Sequence, residues 1–170
     1  AAVLGSGGGV ELVAGLLLGW QDITAVELNP LIIEATRDLS SPGIYDDPSV
    51  TVHVGEARRF LAQQETPFDL LFLPNVKGYG GVGGGGSGFV QNHLLTREAI
   101  GLAISRLSDR GVLAIRDHNW VMDVHRATLR QAWVDSGRPA QGHLLEFVGQ
   151  KYSLLLARVD AFPPEVRARL

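Results

Sequence analysis

Gly5, Ser6, Gly7 and Gly9 belong to a glycine cluster set between an apolar run, Ala1–Leu4, and a second apolar stretch, Val10–Leu18. That order reads as a buried strand, a tight turn and the start of a helix. Without a Cβ, such a turn lets backbone N–H groups approach a ligand closely, beside the positive end of the helix. The ligand it suits is nucleotide-like. Glu27 closes a β-prone run, Ile23–Val26, and Glu56 follows a third run, Val50–Val54. Pro74-Asn75 follows a fourth, Phe68–Leu73. An ionised carboxylate is acceptor-only, so Glu27 suits a pair of ribose hydroxyls. Glu56, or the backbone beside it, suits an adenine amine. Asn75 suits a hydrogen bond to a substrate amine or to the ligand. Asp117 and His118 lie just after a fifth strand and are candidates for a general base.

These residues need a scaffold that brings the ends of several strands together. Val10–Gly19 reads as a helix, as does Pro30–Leu39, whose proline suits a first turn. Ala57–Gln64 and His93–Leu107 are two further helices, and Ser108–Gly111 turns into a fifth strand, Val112–Ile115. Asp117–Ser136 is mostly helical. Leu144–Val148 and Tyr152–Val159 are strands separated by Gly149-Gln150-Lys151, a hairpin connection. A last helix starts near Phe162-Pro163-Pro164. The alternation predicts an α/β domain with a parallel sheet covered by helices on both faces. The closing hairpin makes its last strand antiparallel. In such sheets ligands sit at the carboxyl ends of the strands, near the reversal of strand order. Residues 78–88 hold eight glycines and read as a mobile lid beside the fourth strand end, with Tyr79 as a cover for the ligand.

At 170 residues, 45% hydrophobic and 19% charged, the chain fits one globular domain. A net charge of −3 gives no general attraction to nucleic acid or anionic lipid. No apolar run reaches a membrane span, and there is no cysteine for disulfides or thiolate metal sites. The five histidines show no metal-ligand spacing, so no metal is expected. The plain expectation is a cytoplasmic domain, 1–170, belonging to a longer chain whose N-terminal portion is absent and whose other parts could include membrane segments.

A dinucleotide turn wants G-x-G-x-x-G/A, but the third position here is Val10, and the pattern is G-x-G-x-G through Gly5, Gly7 and Gly9. Val3–Gly9, Val26-Glu27-Leu28-Asn29-Pro30, Gly55-Glu56-Ala57, Leu95–Ala99 and Leu107–Leu113 together resemble the class I S-adenosylmethionine-dependent methyltransferase fold, and within it the spermidine-synthase-like branch. The resemblance implies a Rossmann-like three-layer sandwich with a seven-stranded, mostly parallel sheet. It implies S-adenosylmethionine as cofactor, held by Gly5, Ser6, Gly7, Gly9, Glu27, Leu28, Glu56, Ala57, Pro74 and Asn75. It also implies a small-molecule substrate and a possible homodimer. Aminopropyltransferases of that branch carry an acid where this chain has Gly8, and an Asp-Ser or Asp-Thr where it has Pro74-Asn75. The expected activity is therefore methyl transfer to a small amine or another small nucleophile. Aminopropyl transfer with a displaced base at Asp117 or His118, and a non-catalytic adenosyl-binding module, stay open beside it.

Overall fold

A computed structural model describes residues 1–39, 43–75 and 93–167. The glycine-rich stretch 78–88, read above as a lid, lies outside the described residues. Seven strands form one sheet: β1 (Ala2–Leu4), β2 (Ile23–Glu27), β3 (Val50–Val54), β4 (Phe68–Leu73), β5 (Leu107–His118), β6 (Leu144–Val148) and β7 (Tyr152–Arg158). Their order is β3-β2-β1-β4-β5-β7-β6. β1 to β5 run parallel, whereas β7 is antiparallel to both β5 and β6. The chain steps outward from β1 to β3, then returns to β4 on the other side of β1. Strand order thus reverses between β1 and β4. The expected α/β sandwich with its closing antiparallel hairpin is the observed architecture.

The helices are α1 (Val10–Leu17), α2 (Pro30–Leu39), α3 (Ala57–Gln63), α4 (Arg97–Ser105), α5 (Met122–Asp135) and a short α6 (Pro164–Arg167). Alternation along each strand sends side chains to two separate cores. Leu71, Leu73, Leu113, Ile115, Leu155 and Ala157 meet α3, α4 and α5 through Phe60, Ile100, Ile104, Leu129 and the fully buried Trp133. Val3, Ile23, Ala25 and Val50 meet α1 and α2 through Leu12 and Ile33 on the other face. Both cores are built on near-continuous apolar strands, as a sheet covered on two sides requires.

Three expected boundaries shift. His93–Leu107 is not one helix: a 3-10 turn, His93–Leu95, precedes α4, because the Thr96 hydroxyl accepts the Ala99 N–H and caps a new helix start. β5 is much longer than Val112–Ile115. It begins at Leu107, and Ser108–Gly111 form an irregularity in its register, since Phe68 pairs with Leu107 but Leu70 with Val112. Its far end takes in Asp117 and His118, which were expected at a helix start. They pair with Ser153 and Tyr152 of β7, a non-local partner that overrides local helical preference. A 3-10 turn, Asn119–Val121, then leads into α5. Among the described residues no helix is long and apolar enough to cross a membrane.

Candidate functional site

The turn after β1 is pinned before any ligand arrives. The Gly5 and Ser6 N–H groups donate to the Val26 carbonyl (2.8 and 3.0 Å), and the Gly9 N–H donates to the Ser6 carbonyl (2.9 Å). Gly9 caps α1 at φ +79, and a Cβ there would stand 2.5 Å from Ile44 Cγ2. Left-handed backbone and lack of room therefore both demand glycine at this position. Gly7, at φ +50, has nothing within 4 Å of where its Cβ would stand. The turn is crowded behind Gly9 and open above Gly7.

Glu27, at the end of β2, is 7% exposed. Its Oε2 accepts the Gly7 N–H and its Oε1 the Asn29 N–H, each at 2.9 Å. The carboxylate thus clasps the β1–α1 turn to the β2–α2 turn using backbone donors, and each oxygen keeps a lone pair for a further donor. Asn29 in turn accepts the Leu31 N–H at the start of α2 (3.1 Å). Leu28, between them, is 67% exposed and leaves an apolar side chain beside the carboxylate.

Tyr45 is a residue of this site that the sequence reading missed. It sits in a 3-10 turn, Ile44–Asp46, and is 3% exposed. Its hydroxyl lies 2.8 Å from Ser6 Oγ and donates to the Gly7 carbonyl at 2.5 Å. Burial, ahead of the nearby Glu27 and Glu11 carboxylates, pushes this phenol above its ordinary range, so it remains a neutral donor. Tyr45-Asp46-Asp47-Pro48 announces only a turn; the contact with Gly7 lies 38 residues away in sequence.

Glu56 caps α3. Its two carboxylate oxygens accept the Arg58 and Arg59 N–H groups, both at 2.8 Å. Ala57 is buried at the first position of that helix. The Gly55 N–H donates to the Glu27 carbonyl (2.9 Å), so the β3 end is tied to the β2 end. Pro74 is buried after β4, and next to it Asn75 Oδ1 is a buried acceptor with no hydrogen-bond partner among the described residues. A buried acceptor left unmade costs more than one satisfied by a ligand.

Asp117 and His118 do reach the strand-terminal edge, but Asp117 is engaged. It is 1% exposed, its Oδ2 lies 2.7 Å from His125 Nε2 on α5, and its Oδ1 accepts the His118 N–H at 2.7 Å. It anchors α5 to β5. His118 is 9% exposed, with its ring 4.4 Å from that of Tyr152. The structure thus brings Gly5, Ser6, Gly7, Gly9, Glu27, Leu28, Glu56, Ala57, Pro74 and Asn75 to the carboxyl ends of β1 to β4, and Asp117 and His118 to the end of β5. Sequence reading also missed Glu11, which lies in the first turn of α1 and pairs with Arg116 of β5 at 2.5 Å.

No family model matches the sequence, and no curated protein aligns with it significantly. Solved structures do share its fold. Spermidine synthase from Thermotoga maritima superposes with a TM-score of 0.66 at 16% identity, over 96% of this chain and 54% of that one. Human methyltransferase-like protein 13, in complex with S-adenosylhomocysteine, gives 0.70 at 14% identity, over 99% and 76%. A precorrin-6y C5,15-methyltransferase from Geobacter metallireducens gives 0.60 at 17%, over 92% and 77%. The chain spans about half the length of the spermidine synthases it matches. It has the methyltransferase-like fold that these enzymes share.

Proposed function

We propose that this domain binds S-adenosylmethionine across the carboxyl ends of β1, β2 and β4 and serves methyl transfer to a small nucleophile. The observation that carries the reading is Glu27: a buried carboxylate at the end of β2, held by two backbone N–H groups and, among the described residues, by no cation, next to an open Gly7. That donor set suits vicinal hydroxyls, which complete the lone pairs a cation would otherwise take.

The residues present fit the cofactor. Gly5 to Gly9 give it a close backbone surface, Glu27 holds the ribose, Leu28 and Ala57 give apolar contact, and the chain beside Glu56 meets the adenine. The Glu56 carboxylate caps α3 through one N–H on each oxygen. Asn75 offers its carbonyl oxygen, unpartnered among the described residues, to an N–H of cofactor or acceptor. When bound, the cofactor supplies a methyl group already activated by a sulfonium. The protein's part is then alignment and exclusion of water. Aminopropyl transfer has less support. Asn75 is not a base, Gly8 brings no acid, and Asp117 is committed to His125.

Calorimetric titration with S-adenosylmethionine, S-adenosylhomocysteine and decarboxylated S-adenosylmethionine tests the reading. Binding of the first two, with the decarboxylated form weaker, is expected. Tight binding of the decarboxylated form alone would restore aminopropyl transfer, and binding of none would remove the cofactor assignment.

A further inference from the structure

The far end of the same sheet edge gathers cationic and aromatic side chains around Tyr152. Arg116 and His118 project from β5 on the face that carries α1, and Tyr152 pairs with His118 across the β5–β7 ladder. The Arg116 guanidinium lies 5.6 Å from the Tyr152 ring centre, the Lys151 ammonium 5.4 Å, and the His118 ring 4.4 Å. On its other side His118 stacks with Trp120 at 6.3 Å and 27°, and Trp120 is 74% exposed. Among the described residues, the carboxylates of this quarter have partners within the chain: Glu11 pairs with Arg116, Asp117 with His125, Glu146 with Arg126, and the solvent-exposed Asp123 also with Arg126. Arg116 Nε is a buried donor with no partner among the described residues.

We infer that this cationic, aromatic corner recognises a planar anion, and that the acceptor of the transfer reaction is of that class, an aromatic carboxylate or phenolate rather than a polyamine. The inference rests on the transferase reading above. A diamine needs free carboxylates to hold its ammonium groups, and the buried and half-buried ones described at the corner already face a cation or an imidazole. A planar anion meets the unspent guanidinium edge, the ammonium and exposed aromatic faces. The neighbouring strand ends agree. β4 pairs with β5 as far as Leu73 and Ile115, so Asn75 and Asp117 extend adjacent strands, one bearing an amide and the other a carboxylate tied to His125. An amine acceptor must lose a proton; an oxygen anion need not. Alkylation of that oxygen forms one C–O bond as one S–C bond breaks, and the two opposite charges cancel with no proton to remove.

The test is equilibrium binding of benzoate, benzamide and putrescine to the 170-residue chain, with and without saturating S-adenosylhomocysteine. Benzoate should bind about tenfold more tightly than its neutral isostere benzamide, the usual worth of one charge-assisted hydrogen bond. Putrescine should be weaker than either. Lys151→Ala and Tyr152→Leu lie at an exposed edge and should each weaken benzoate several-fold while leaving S-adenosylhomocysteine affinity unchanged. Arg116→Gln should weaken it most, checked for folding by circular dichroism because Arg116 also holds Glu11. Equal affinity for benzoate and benzamide, stronger binding of putrescine, or insensitivity to both Lys151→Ala and Tyr152→Leu would each overturn the inference. Failure of S-adenosylhomocysteine to bind would strike the cofactor reading instead, and benzoate binding alone would still report on the corner.

Discussion

The two ends of the strand-terminal edge treat charge in opposite ways. At the β1–β2 end a buried carboxylate, Glu27, is held, among the described residues, by backbone N–H groups alone. At the β5–β7 end every described carboxylate that is buried or half-buried has a cationic or imidazole partner, and cationic groups gather on Tyr152. A buried charge is costly unless paired or hydrogen-bonded. Glu27 meets that cost with dipoles, which leaves its remaining lone pairs for a ligand. Asp117 meets it with a side chain, His125 on α5, which turns the residue into an anchor. Two acids on the same edge therefore have different uses, decided by what already faces them.

The largest effect should come from breaking the anchor. Asp117→Ala strands His125 under α5 and should lower unfolding free energy by about 3 kcal/mol, while S-adenosylmethionine affinity stays within a factor of about two. Urea denaturation and calorimetry on the same sample read both. A large loss of affinity with unchanged stability would reverse the assignment and make Asp117 a site residue. Glu27→Ala is the converse. Affinity for S-adenosylmethionine should fall by about 1–3 kcal/mol, and unaltered affinity would mean that the carboxylate only staples two turns together.

Tyr45→Phe should be milder. It removes the hydroxyl that joins Ser6 Oγ to the Gly7 carbonyl, at about 1 kcal/mol in stability. A several-fold loss in cofactor affinity is expected beside it, because the turn is no longer held in its binding shape. If affinity is untouched, the turn is organised by Glu27 and Val26 alone. The smallest effect lies outside both ends and serves as a control. Hydrogen bonds from its own backbone N–H and from the Thr96 side chain hold the Glu98 carboxyl below its ordinary value of 4.5. The folded state therefore takes up that proton less readily than the unfolded chain. The contribution is complete above the ordinary value and fades as pH falls below it. Glu98→Gln should flatten the acid limb of a stability–pH profile slightly and leave ligand binding alone.

Much of the scaffold was legible in the chain. Strands such as Phe68–Leu73 and Val50–Val54 carry their own β signal, and glycines mark the turn after β1. Boundaries failed where a distant partner or a single capping hydroxyl decided them. Asp117-His118 reads locally as a helix start, and only the β7 ladder makes it strand. The capping hydroxyl of Thr96 divided one expected helix into a 3-10 turn and α4. At the site, the glycines and Glu27 were legible because their chemistry is local. Tyr45, Glu11 and Arg116 were not, since their partners lie 38 to 105 residues away.

By itself, the sequence determined the order of strands and helices, the glycine turn and the acid that ends β2, because hydrophobic period and turn chemistry act over a few residues. Only the tertiary structure decided which charges are spent. Pairing Glu11 with Arg116 and Tyr45 with Gly7 required the sheet to bring remote segments within hydrogen-bond reach, and Asp117 meets His125 only because the β7 ladder holds Asp117 in strand before α5 begins. A carboxylate's chemistry follows from the groups that already face it, and those neighbours are a property of the fold.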